Sequence, residues 1–186
     1  MKSITPLGKF LLVVFGLFSC VAESTKTPET LPYFDLKGFI EETIQKADGK
    51  TVSKTSHIQG EAKEVEVTYS IENWEEELSI FKDADINTSA MLQSYQTTSS
   101  DDKLVHELLP DAKAKVKYIQ VTYEGEDVSS VSIMIADDNM FYSSTTLAEI
   151  YINNSTHLID HYTIESTQKI WFLDENNMKI QGSIVP

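Results

Sequence analysis

The feature that most constrains this chain is a run of alternating segments, from residue 116 to residue 184, joined by connectors too short to cross a sheet. Residues 116–123 put Ile119, Val121 and Tyr123 on one face, and 128–136 do the same with Val131, Ile133 and Ile135. Segments 140–152, 158–164, 169–173 and 178–184 continue the series, the first of them with mixed faces over its Ser/Thr stretch 143–146. The connectors are Glu124-Gly125-Glu126-Asp127, Asp137-Asp138-Asn139, residues 153–156 and residues 174–177, all of them polar. A parallel crossover takes about a dozen residues or more, so these neighbours must pair antiparallel. The expectation is a β-meander of six or more strands, with 89–98 as a further candidate and 99–102 as the loop behind it.

Ahead of the meander the periodicity changes. Leu36, Phe39, Ile40, Ile44 and Ala47 recur at helical spacing, with Asp35 placed to cap the start and Gly49 to end the helix. A second helix is expected over 73–81, where Asn73 and Glu76 resemble a capping box and Trp74, Leu78 and Phe81 share a face. The run Glu75-Glu76-Glu77 sits near that helix's N-terminus and reads as a solvated face stabilised by the helix dipole. Between the helices, 51–58 and 62–71 alternate as two strands around a turn at Gln59-Gly60-Glu61. One face of an antiparallel sheet can stay in water while the other is covered, and the two helices are the available cover. The fold class is therefore α+β: a curved antiparallel sheet or half-barrel packed on one or two N-terminal helices.

The N-terminus obeys other rules. Lys2 and Lys9 precede the apolar stretch 10–18 (FLLVVFGLF), and Leu17-Phe18-Ser19-Cys20 closes it. A positive start, a short apolar run and a small residue at the end make a secretory signal peptide. Nine apolar residues fall far short of the roughly 20 that span a bilayer. Cys20 is the chain's single cysteine, and its position directly behind Ser19 resembles the lipobox of bacterial lipoproteins. The resemblance implies cleavage before Cys20, a diacylglycerol on its thiol and an acyl group on the new amino terminus. Several acyl chains hold a protein on a membrane where one, at roughly 0.8 kcal/mol per buried methylene, holds only marginally. Residues 21–32 are Ser, Thr, Glu and Pro with little to bury, and read as a tether reaching at most roughly 40 Å. The organisation expected is a signal over 1–19, a lipidated cysteine and tether over 20–32, and one α+β domain over 33–186.

Charge excludes some partners. Loss of Lys2 and Lys9 with the signal takes the net charge from −14 to −16, and every basic residue is lysine. A surface this acidic, without the bidentate arginine fork, is repelled by nucleic acid. No disulfide is possible with one cysteine, so the domain rests on its core alone.

No strong chemical motif appears. His157-Leu158-Ile159-Asp160-His161 lacks the glutamate of a zinc-protease helix, and as a strand it separates its histidines by roughly 13 Å, too far for one ion. Asp83-Ala84-Asp85-Ile86-Asn87 opens like an EF-hand loop, but Thr88 and Ser94 stand where Gly and Glu are needed. It reads as a helix exit. There is no G-x-S-x-G elbow and no phosphate-cradling glycine loop. No catalytic, metal or cofactor residue is therefore assigned. The remaining lead is aromatic: Tyr118, Tyr142, Tyr162 and Trp171 come from different strands and would line a concave face for an apolar ligand if the sheet curls. Packing is the competing role, and Trp171 is expected in the core.

Residues 73–95, WEEELSIF followed by KDADINTSAMLQSY, resemble a recurrent stretch in uncharacterised predicted lipoproteins of Bacteroidota-type bacteria. That likeness brings no activity and no site residues. The functional expectation is a lipid-anchored envelope protein with a non-enzymatic binding or assembly role, partnered by the membrane through Cys20 and by other envelope proteins. The alternatives are a carrier of a lipid or other apolar ligand, and an enzyme with an unrecognised site. Val21 behind Cys20 lacks the aspartate linked to inner-membrane retention, which points to the outer membrane without fixing the side it faces.

Overall fold

The computed structural model describes residues 31–185; the signal over 1–19, Cys20 and the tether up to residue 30 lie outside them. In chain order the elements are α1 (Leu36–Ala47), β1 (Thr51–Ile58), β2 (Glu61–Thr68), α2 (Ile71–Glu77), α3 (Ser79–Asp83), β3 (Tyr95–Ser99), β4 (Lys103–Leu108), β5 (Val116–Glu124), β6 (Asp127–Asn139), β7 (Tyr142–Asn153), β8 (Leu158–Ile170) and β9 (Asn176–Ile184). The α+β expectation holds: nine antiparallel strands form one curved, unclosed sheet in the order β2-β1-β9-β8-β7-β6-β5-β4-β3.

From β3 to β9 every strand pairs with its chain neighbour, as short connectors require. The hairpin β1–β2 then pairs with the last strand, bringing Val52 opposite Ile184. That hairpin turns at Gln59 and Gly60, both at positive φ (52° and 87°), the left-handed conformation a two-residue turn demands.

Bulges decide which side chains face the helices. Tyr151 pairs with His161 but Ile152 with Ile159, leaving Asp160 as the extra residue. Ile159 and Tyr162, three apart, can then both point inward, and both are buried. A second shift between Thr122 and Tyr123 lets Val128 join Val131 on the inner face.

Asp35 caps α1 by accepting from the Gly38 amide at 2.9 Å. The second helical segment departs from expectation. Its capping box is Ser70 with Asn73, so α2 begins at Ile71, two residues early, and the helix breaks at Leu78 into α2 and α3. The shared face survives the break, with Trp74, Leu78 and Phe81 all fully buried. The core is the seam between these helices and the inner sheet face: Leu36, Ile40 and Ile44 of α1 meet Val131, Ile133, Ile150 and Tyr162. The Trp74 indole donates to the Ala47 carbonyl at 2.8 Å, tying α2 to the end of α1.

Three further boundaries differ. Residues 137–139, expected as a turn, continue β6, because Asp137 and Asp138 pair with Ser144 and Ser143 and Lys115 bridges Asp137 at 2.9 Å. Residues 158–170 form one strand, and Trp171, Phe172 and Leu173 belong to the turn after it, with Trp171 73% exposed rather than in the core. The strand candidate 89–98 contracts to β3, and β4, which carries the buried His106, escaped the sequence reading.

Candidate functional site

The candidate tyrosines do not converge. Tyr162 shares the inner face with Ile150 and Val131 and is fully buried, its ring edge-on to Trp74 at 6.2 Å. Tyr142 has the same parity but lies eight residues away along β7–β8, opposite Ile170. Tyr118 follows a bulge after Val116 and points to the other face, opposite Met134. His157 and His161 part as well. His157 sits at φ 55° in the turn before β8, beside Phe39 and Thr43 of α1, whereas His161 is on the outer face.

Under α2, sequence reasoning missed a cluster. Glu77, expected on a solvated face, turns inward with 9% of its side chain exposed. It accepts the Tyr162 hydroxyl at 3.0 Å, the Tyr69 hydroxyl at 3.1 Å and the Lys54 ammonium at 2.5 Å. Burial pushes the Tyr162 hydroxyl far up, and the Glu77 charge adds to it; Tyr69 moves the same way for the same two reasons. Burial alone would pull the Lys54 ammonium down, but its hydrogen bond to Glu77 and that carboxylate's charge carry it upward instead. Glu75 and Glu76 are exposed as expected, so nothing in three consecutive glutamates distinguished the third. The cluster joins β1, α2 and β8 with every group partnered. It is structural.

A second polar group fastens the chain where it enters the domain. The Tyr33 amide donates to Asn87 Oδ1 at 3.1 Å, Asn87 Nδ2 donates to the Phe34 carbonyl at 2.9 Å, and the Phe34 amide donates to His106 Nε2 at 3.0 Å. With Nε2 accepting, Nδ1 carries the proton and faces Thr97 Oγ1 at 2.8 Å. Burial lowers the His106 pKa. The Asp85-Ile86-Asn87 element thus clamps the segment that leads into α1.

The face opposite the helices is the candidate surface. Tyr118, Ser132, Glu149, Tyr151 and His161 form a polar row across β5–β8. The Tyr118 and Ser132 hydroxyls lie 3.5 Å apart, Ser132 donates to Glu149 at 3.3 Å, and the Tyr151 hydroxyl donates to Glu149 at 3.4 Å. Tyr151 stacks on the His161 ring at a centroid distance of 4.2 Å, and His161 Nδ1 meets Asp160 at 2.7 Å. Burial and the Glu149 charge raise the Tyr151 pKa. Beside the row lies an open depression of about 590 Å³ lined by Thr122, Ser130, Tyr151, Asn154, Asp160 and His161. Asn154 donates to Glu124, and its buried Oδ1 accepts nothing. The surface offers a flat aromatic pair and carboxylates, which suit ligands that donate hydrogen bonds. No group of three or more His, Cys, Asp or Glu among the described residues is arranged to hold a metal ion. Comparison with protein-family models, curated proteins and solved structures returns no match to the chain.

Proposed function

We propose that this chain is a lipid-anchored envelope protein whose exported domain binds or assembles rather than catalyses. The observation that supports a binding role is the outer sheet face. Among the described residues no helix lies over it, and its aromatic and carboxylate groups are held in place by their neighbours on β5–β8. The anchor reading rests on Cys20 behind its apolar run, and outer-membrane sorting on Val21.

The test combines metabolic palmitate labelling with cell fractionation. Wild type should carry label and sediment with membranes. Cys20→Ala should lose the label, and once freed of its signal its domain should melt with wild type, since the substitution precedes the domain expected over 33–186. Wild-type protein released soluble and unlabelled would overturn the anchor. Turnover of a substrate from a broad hydrolase panel, lost on Glu149→Gln or His161→Ala, would overturn the binding role. Protease shaving of intact cells reads the side the domain faces.

A further inference from the structure

The strongest unexplained feature lies at one end of the sheet. Met140 (84% exposed) and Phe141 (55%) form the β6–β7 turn, and Trp171 (73%), Phe172 (78%) and Leu173 (52%) the β8–β9 turn beside it. The two turns are built against each other. The Trp171 amide donates to the Phe141 carbonyl at 3.0 Å, and their rings lie 6.1 Å apart. Asn139 Oδ1 accepts from the amides of Phe141 and Tyr142, and the Leu173 amide donates to the Ile170 carbonyl at 2.9 Å. These side chains keep half or more of their surface in solvent, so the apolar tip is spare surface.

We propose that this tip is a membrane wedge that dips into the headgroup–acyl boundary of a zwitterionic lipid surface. Three observations favour lipid as the occupant. The apolar residues cap the end of the strands rather than a face. Just behind them Ser143, Ser144 and Thr145 pair with Lys169, Gln168 and Thr167, a polar stalk that would stay in water and headgroups. Trp and Phe, with aliphatic neighbours, are also the side chains that favour this boundary.

Reach is the second observation. Tyr33 packs on His106, which is level across the ladder with Ile119, Ile133, Ala148 and Ile164. From there the tip is six residues along β8 and four strand spacings across, a span of about 28 Å. Eleven peptide steps separate Cys20 from Leu31, at most about 40 Å of chain. An anchor at Cys20 therefore allows the tip to meet the same bilayer. Charge is the third: the net charge of −16 left without Lys2 and Lys9, with Asp174 and Glu175 directly after Leu173, selects against anionic headgroups.

The proposal takes the nearness of a bilayer from the anchored reading, but its test stands without acylation. The chain has two tryptophans, and Trp74 is fully buried, so only Trp171 can report contact with lipid. Unacylated protein from Val21 onward is mixed with phosphatidylcholine vesicles containing brominated acyl chains, and acylated protein is reconstituted in the same lipid. Trp171 emission should shift to the blue and be quenched. Trp171→Phe should leave an unquenched signal from Trp74, and Phe172→Ser with Leu173→Ser should weaken vesicle partitioning by about tenfold or more. Replacing part of the lipid by phosphatidylglycerol should weaken it too. Trp171 emission unchanged by vesicles in both forms overturns the wedge. So does a blue shift that grows with protein concentration in the absence of lipid, which would make the tip a contact between copies. Failed palmitate uptake with quenching retained removes the anchor and leaves the wedge standing.

Discussion

Glu77→Leu tests whether the buried polar cluster specifies how α2 docks on the sheet. The substitution keeps the side chain's bulk but strands three donors: the Tyr162 and Tyr69 hydroxyls and the Lys54 ammonium. Removing one member of a buried pair typically costs about 3–5 kcal/mol, because the other charge is left uncompensated. Lys54 keeps 18% of its side-chain exposure and can recover part of its hydration, which favours the lower half of that range. Each orphaned hydroxyl adds a penalty that overlaps with the first, so the whole loss is about 4 kcal/mol. In urea, with a slope of about 2 kcal/mol/M, the midpoint should fall by about 2 M without a change in slope. Lys54→Met leaves Glu77 with two hydroxyl donors and should cost about 2 kcal/mol. Lys54→Met combined with Glu77→Leu should be no worse than Glu77→Leu alone, since the stranded ammonium has gone. A Glu77→Leu cost below about 1 kcal/mol, or costs that simply add, would refute the reasoning.

Other perturbations probe separate parts of the fold. Because burial lowers the His106 pKa, the unfolded chain takes up the proton first, so stability should hold above about pH 6.5 and decline as pH falls through that value; His106→Asn should flatten this slope in pH-dependent urea melts. Tyr162 and Tyr69 shift the other way, upward, so their contribution should be complete below about pH 10 and lost as pH rises above it, a loss that Tyr162→Phe reduces in alkaline unfolding followed at the phenolate band. Gly182→Ala drives a methyl group into the Tyr162 ring and should cost about 1–3 kcal/mol in calorimetry, with little further cost in a Tyr162→Ala background. Asn87→Ala removes the bracket on Tyr33 and Phe34 and should cost about 1–3 kcal/mol, with faster amide exchange at Tyr33 and unchanged exchange in mid-α1.

What was legible in the sequence was local. Helix α1, the β1–β2 hairpin and strands β5–β7 each announce themselves through spacing and turn residues within a dozen positions. What escaped depended on partners far along the chain. Asp137 to Asn139 look like a turn until Ser143, Ser144 and Lys115 are placed opposite them. Ile170 to Leu173 look like a core strand because an apolar run carries no sign of what it faces. Tyr118 and Tyr162 look like neighbours on one surface, yet Tyr118 alternates with the inward Ile119 and so stands on the outer face opposite Met134, whereas Tyr162 is buried opposite Ile150. His106 and Glu77 were invisible as fasteners because each meets its partners through the assembled core rather than through sequence spacing.

The pairing of β1 with β9 has a kinetic consequence. Val52 and Ile184 stand opposite each other across the sheet yet 132 positions apart in the chain. The meander from β3 onward can zip strand by strand through short loops, but the first hairpin must wait for the last strand before it has a bonding edge. Closing so long a loop is slow and costs entropy before the contact repays it. A chain delivered N-terminus first across a membrane would therefore keep its first hairpin undocked until β9 had emerged. Late closure of this kind leaves the early part of the chain open to transport factors and proteases, and it makes the final nine-residue strand the step that commits the whole domain to its fold.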